Sequence, residues 1–254
     1  MFLKLFTTCF DYPPEWFSLF QARMTSFKSV AWEHFPLEKR EKYLHYFTKR
    51  TGTLCNKREI AVCDLRPALG DVFADRLHGY DYWGWCDIDV LMSDLDNLLP
   101  KLLEGYDVLN FKPHYLSGPF AIFRNIPELT QLYRQGPYRE IFADPRNHLW
   151  EDSGREFGLL GAADVYGCTE KSFYNLVVKS GYKMKVVPEL YSYDSPREWN
   201  FIEHIGNRLI DPLTRDEKLF HHFMTKVWPI DDDGFSRFRG KGKGGAWPDK
   251  FNHE

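Results

Sequence analysis

A chain of 254 residues carries 33 Lys and Arg against 36 Asp and Glu, a net charge of −3. With 43% apolar residues, 18 Gly and 15 Pro, composition is ordinary globular usage; it excludes disorder, collagen and a coiled coil and suffices for one large core. Near-neutrality gives no general attraction for nucleic acid, so a phosphate-bearing partner has to be held by a local site, and small-molecule chemistry without a nucleic-acid partner is expected.

No apolar run approaches the roughly 18 residues a spanning helix needs, and residues 1–6 are too short for the apolar region of a signal peptide. Five cysteines (Cys9, Cys55, Cys63, Cys86, Cys168) are an odd number without a CxxC pair. They support neither a disulfide framework nor a structural zinc site, and a reducing, cytoplasmic location is expected.

Along the chain, residues 2–9 read as a strand stopped by Pro13 and Pro14, and Pro14 opens a helix with Phe17, Leu19 and Phe20 on one stripe. A second helix is expected over residues 37–49, ending at Gly52, and a third over 61–77. Residues 80–91 form the best strand in the sequence. Ser93 or Asp94 then caps a helix through Leu103, and residues 106–111 and 120–123 read as short strands. Further strands at 165–168 and 183–187 bracket a helix at 170–180. Alternation of helices and strands points to a single α/β domain, residues 1–233, with a central mixed sheet flanked by helices. Residues 234–254 hold Gly240, Gly242, Gly244 and Gly245 between Arg237, Arg239, Lys241 and Lys243. Such a stretch buries little surface and is expected to be a flexible solvated tail, with peripheral contact to an anionic membrane or glycan as its alternative.

Asp87 and Asp89 lie two positions apart on the expected strand, which places both carboxylates on one face. Like charges so close need water or a shared cation, and Mg²⁺ or Mn²⁺ with oxygen ligands is the natural partner. Asp94 and Asp96 form a second DxD that helix capping explains better.

The segments GYDYWGWCDIDV (79–90) and CDLRPALGDVF (63–73) resemble GT-A-type glycosyltransferases, especially bacterial and viral polysaccharide-associated members. The likeness covers 63–91 most closely and extends more weakly to 228. It implies a GT-A (Rossmann-like) domain in which Asp87 and Asp89 hold the cation that bridges a nucleotide-sugar diphosphate. It further implies that Asp64 and Arg66 sit near the sugar and diphosphate, a surface ion pair being the alternative. The segment YLSGPFAIFRN (115–125) is similar to the stretch where a small polar residue and a glycine approach the donor, implying that role for Ser117 and Gly118; a plain turn also explains them. HFMTKVW (222–228) is similar to the C-terminal segment of glycogenin-like members, which implies His222 as third metal ligand and Lys226 at the diphosphate. Here Thr225 replaces a glycine and Val227 a proline, and either His221 or His222 faces inward.

Glu151 and Asp152 resemble the acidic pair that deprotonates the acceptor hydroxyl in inverting members, though acids at a helix start also serve as caps. The glycogenin-like ending points to retaining relatives instead, so the anomeric outcome stays open. Thr8, Asp11 and Tyr12 follow the first strand, where an open sheet places its ligand crevice, and are candidates to contact the base. The expected activity is transfer of a sugar from a nucleotide-sugar, foremost a UDP-sugar, to a glycan or lipid-linked acceptor. A metal-dependent nucleotidyltransferase and a noncatalytic glycan-binding protein are the alternatives.

Overall fold

The computed structural model describes residues 1–8, 17–57, 59–152, 169–194 and 202–223. In chain order the elements are β1 (Leu3–Thr8), α1 (Phe17–Ser26), β2 (Val30–Phe35), α2 (Arg40–Thr51), α3 (Leu69–Val72), β3 (Tyr82–Cys86), β4 (Val90–Met92) and α4 (Leu95–Leu103). There follow β5 (Val108–Asn110), β6 (Phe120–Arg124), α5 (Pro127–Thr130), α6 (Tyr138–Ala143), α7 (Phe173–Lys179), β7 (Met184–Val186), β8 (Tyr191–Asp194), β9 (Glu203–Ile205), β10 (Arg208–Ile210), β11 (Glu217–Lys218) and β12 (Phe220–Phe223).

Six strands form the central sheet in the order β2-β1-β3-β6-β5-β7. It is mixed, because β6 runs antiparallel to β3 and β5 while the other pairs are parallel. Strand alternation sorts two cores onto its two faces. Trp83 and Trp85 of β3 point to one face, where each ring lies 5.0 Å from that of Phe123, and α2, α3, α6 and α7 cover them with Phe47, Leu69, Phe142 and Phe173. Leu3 and Leu5 of β1 join the other face, under Phe20 and Met24 of α1 and Leu95, Leu99 and Leu103 of α4. The four-residue spacing of those leucines puts them on one side of α4, and each contributes about 2 kcal/mol by burial. Asp94 caps that helix by accepting from the Asn97 N–H, as the sequence leads one to expect. Gly52 closes α2 at φ +68°, a left-handed conformation that favours glycine. At Gly84 a Cβ would stand 2.2 Å from the Ala121 carbonyl oxygen, so only glycine lets β3 and β6 approach.

Two small sheets complete the fold, β4-β12-β8 and β11-β10-β9. The first lies over the helix α4 side of the central sheet, with Val90, Met92 and Phe220 in its core.

Several sequence expectations change. The strand expected over 80–91 is two strands, β3 and β4, with a turn at Asp87, Ile88 and Asp89 between them. The helix expected over 61–77 is instead a 3-10 helix at Glu59–Ala68 followed by one short α-turn and another 3-10 turn, because Pro67 lacks the amide donor a continuous helix needs. His221 and His222 lie on β12. No helix among the described residues is long and apolar enough to cross a membrane. The strand expected at 165–168, the helix start at Pro14, Cys9, Cys168 and the tail 234–254 lie outside the described residues.

Candidate metal centre and its cleft

β3 ends at Cys86, and the next three residues turn the chain into β4. Both sides of that turn are fixed by backbone bonds: the Asp87 N–H donates to the Pro119 carbonyl at 2.9 Å, and the Phe223 N–H donates to the Asp89 carbonyl at 2.7 Å. Asp87 and Asp89 therefore converge through a turn rather than through the period of a strand face. β12 pairs with β4 in the register His222↔Val90 and brings the imidazole to the carboxylates. One ligand atom from each of Asp87, Asp89 and His222 lies within 4.8 Å of the other two, and Nε2 of His222 stands 3.5 Å from Oδ1 of Asp89.

Alternation along β12 decides between the two histidines. His222 faces the carboxylates, whereas His221 turns to the opposite face, wholly buried, with Nδ1 2.9 Å from Ser192 Oγ and its ring 4.5 Å from that of Phe223. Burial, with His222 adding to it, lowers the His221 pKa to about 3, so this histidine is neutral.

Arg66 is the cation already present. It projects from the 3-10 helix, almost fully buried, and donates to Oδ1 of Asp87 and, at 2.5 Å, to the Gly118 carbonyl, which also accepts from Trp85 Nε1 at 3.0 Å. Burial works against its charge, but Asp87, Cys63 and Glu151 outweigh that and hold the guanidinium above its ordinary value. For Asp87, burial pushes the pKa up and Asp89 adds to the push, while Arg66 and His222 pull the other way. Burial, with the like charge of Asp89 added, thus outweighs the pull of Arg66 and His222.

Arg66 Nη1 also lies 3.9 Å from Glu151 Oε1. Glu151 is 2% exposed, its Oε2 has no hydrogen-bond partner among the described residues, and burial followed by the charge of Asp64 raises its pKa to about 8. Its neighbour Asp152 sits against the other wall: a Cβ placed on Gly118 would be 3.7 Å from Asp152 Oδ2.

Asp64 holds this wall in place from behind. Wholly buried, it accepts from Lys57 Nζ at 2.6 Å and from the N–H groups of His148 and Trp150 at 2.9 and 2.8 Å, and Lys57 also donates to the Arg146 carbonyl at 2.6 Å. Asp64 and Arg66 are thus not a surface pair: each has its own opposite charge, Asp64 behind the loop that carries Glu151 and Arg66 in the cleft. Ser117 is buried, its N–H donating to Asn110 Oδ1 at 2.8 Å, and its Oγ has no hydrogen-bond partner among the described residues. Thr8 ends β1 beside the end of β3 and donates to Tyr43 Oη at 3.1 Å. Asp11, Tyr12 and Lys226 lie outside the described residues.

Two features escape a reading of the sequence. Tyr191 and Tyr193 of β8 stack 5.3 Å apart, and Tyr191 Oη lies 3.4 Å from Nδ1 of His222. The Lys112 ammonium rests over both rings, 4.2 and 4.8 Å from their centroids. The alternation of two tyrosines in YSYD was a strand signal; nothing local placed it beside residue 222.

Fold and site together define an α/β protein with a mixed central sheet, in which a turn after β3 meets a distant strand in a cluster of two carboxylates and one imidazole. The chain belongs to the family of unknown function DUF6625, whose model matches residues 14–226. No curated protein matches it. Among solved structures, the crystal structure of A197 from STIV is similar over 86% of this chain and 94% of that one, at 13% identity and a TM-score of 0.38, a level at which neither fold nor function transfers.

Proposed function

We propose that the protein is a metal-dependent glycosyltransferase of GT-A type that moves a sugar from a nucleotide-sugar, foremost a UDP-sugar, to a glycan or lipid-linked acceptor in the cytoplasm. One observation carries the reading: Asp87, Asp89 and His222, the last far along the chain from the other two, bring three ligand atoms within 4.8 Å of one another. Two carboxylates and an imidazole would suit Mn²⁺ or Mg²⁺ and would leave room for substrate oxygens. Burial and the neighbouring Asp89 both disfavour the charge on Asp87, and a divalent cation there would offset both.

The cation's contribution is to draw charge from the leaving diphosphate. The chain's own residues do the rest. Arg66 keeps Asp87 oriented and ties it to the Gly118 carbonyl, which fixes the donor side of the cleft. Glu151 and Asp152, held by the Asp64 clamp behind them, are placed to take the acceptor proton, and a buried carboxylate with a raised pKa is suited to that work near neutral pH. Lys226 at the diphosphate, and Asp11 and Tyr12 at the base, complete the reading.

A thermal-shift panel of nucleotide-sugars with and without Mn²⁺ tests it, followed by donor-hydrolysis assays on the hits. A rise in melting temperature that requires both metal and one nucleotide-sugar supports the proposal. No rise with any donor, together with no Mn²⁺ binding by calorimetry, overturns it.

A further inference from the structure

Lys112 is anchored as firmly as a binding residue needs to be, yet no anion among the described residues is bonded to it. Its backbone lies in the loop after β5, where the wholly buried Asn110 gathers the chain: Asn110 Nδ2 donates to the carbonyls of Lys112 and Tyr115 at 2.6 and 2.8 Å, while its Oδ1 takes the Ser117 N–H. Tyr174 Oη adds a bond to the Pro113 carbonyl at 3.0 Å. The side chain is held by the Tyr191 and Tyr193 rings. Among the described residues the ammonium has ring contacts but neither a hydrogen bond nor an ion pair, and Asp152 is the charge it feels.

That combination is unusual for a lysine. Its rotamer freedom, worth up to about 2 kcal/mol, is already lost, and burial lowers its affinity for a proton, but cation–π contact alone leaves three N–H donors to be used. The ring beneath it reaches His222 through Tyr191 Oη, so the ammonium stands on the wall adjoining the carboxylate–imidazole cluster.

The geometry points to Lys112 as a second anion-binding point of the cleft, taking a phosphate group of the substrate independently of the residues that hold the metal. This rests on the proposed function only for the identity of the substrate. The phosphate comes from one of two sources, the donor diphosphate or a phosphate on a lipid-linked or sugar-phosphate acceptor.

Calorimetry on the full chain separates them, with Mn²⁺ alone and inorganic pyrophosphate, in Mn²⁺ and in EDTA, as the probes. Lys112→Met keeps the alkyl contact with the rings and removes the charge, Lys112→Arg keeps the charge, and Lys112→Gln replaces Lys112→Met should the latter fail to fold by circular dichroism. Expected are unchanged Mn²⁺ affinity, pyrophosphate binding at least tenfold weaker in Lys112→Met, and near wild-type binding in Lys112→Arg. A loss seen only with Mn²⁺ assigns the donor diphosphate; a loss seen equally in EDTA assigns a phosphorylated acceptor. Pyrophosphate binding by Lys112→Met equal to wild type under both conditions, or no binding by wild type in either, overturns the proposal. Wild type that ignores Mn²⁺ but binds pyrophosphate through Lys112 in EDTA overturns the metal reading and leaves this one standing.

Discussion

Tyr191 Oη lies 3.4 Å from Nδ1 of His222, on the side of the ring opposite the nitrogen that faces Asp89. For Nε2 to offer its lone pair to a cation, Nδ1 has to carry the proton and donate it to the tyrosine oxygen. Tyr191→Phe removes that acceptor and keeps the stacking on Tyr193 and Phe220. Loss of such a partner typically weakens metal affinity by about 10- to 100-fold. Mn²⁺ titration of Tyr191→Phe is expected to show a loss of about tenfold with an unchanged melting temperature.

Asp87 and Asp89 are expected to part company when each is replaced by asparagine. Both substitutions abolish Mn²⁺ binding, but Asp87 also pairs with the buried Arg66. Asp87→Asn weakens that bond and lowers stability by about 1–3 kcal/mol, whereas Asp89→Asn relieves like-charge repulsion against the loss of one 3.5 Å contact with His222 and leaves the urea midpoint within experimental error of wild type. Equal midpoints for the two variants would show that the Arg66 pair contributes nothing.

Lys57→Met strands a wholly buried carboxylate, Asp64, without its cation. Breaking one side of a buried ion pair costs roughly 3–5 kcal/mol. Because Asp64 also anchors the His148 and Trp150 amides, hydrogen exchange at those two positions is expected to rise in this variant more than at Leu109 or Ile122 in the sheet.

Glu151 gives a pH dependence with a defined sign. Its pKa rises from 4.5 to about 8 on folding, so between those values the folded protein holds a proton that the unfolded chain releases. The stabilisation is complete below pH 4.5 and is lost as pH rises through 8. Glu151→Gln removes this dependence, so the stability difference between variant and wild type should change steadily in the variant's favour from pH 5 to about pH 8 and level off above it, read from urea unfolding at each pH. As acceptor base the same group works only when ionised, and the transfer rate should climb toward pH 8 while stability falls.

Much of the fold was legible because it is local. The leucine spacing of α4, the Asp94 cap and the left-handed glycine after α2 depend only on neighbours in sequence, and all are found where the residues place them. Apart from β4, the strands of the small sheets were missed: two- to four-residue strands such as β9 and β12 carry too little periodicity to stand out. β2 was missed for a different reason, since Ala31, Trp32, Glu33 and His34 are all half-buried and show no clean alternation. The carboxylate pair stood out as a motif, but its strand-face geometry was wrong, because the backbone turns at Asp87 to follow the bonds from Pro119 and Phe223. The settings of Asp64 and Lys112 were invisible, since the His148 and Trp150 amides lie 84 and 86 residues from Asp64 and nothing local sets the Tyr191–Tyr193 strand beside Lys112.

The distance along the chain between the two halves of the cluster sets a schedule for synthesis. His222 follows Asp89 by roughly 130 residues, so at about 5–20 residues per second a ribosome that has made the turn needs about 7–26 s more to make the strand that completes it. During that interval β4 has neither β12 beside it nor the Phe223 amide on the Asp89 carbonyl, and the nascent chain offers a cation two carboxylates without their imidazole. Completion of the cluster is thereby deferred until β12 has been made, and a chain stalled before residue 220 holds the two carboxylates without their imidazole.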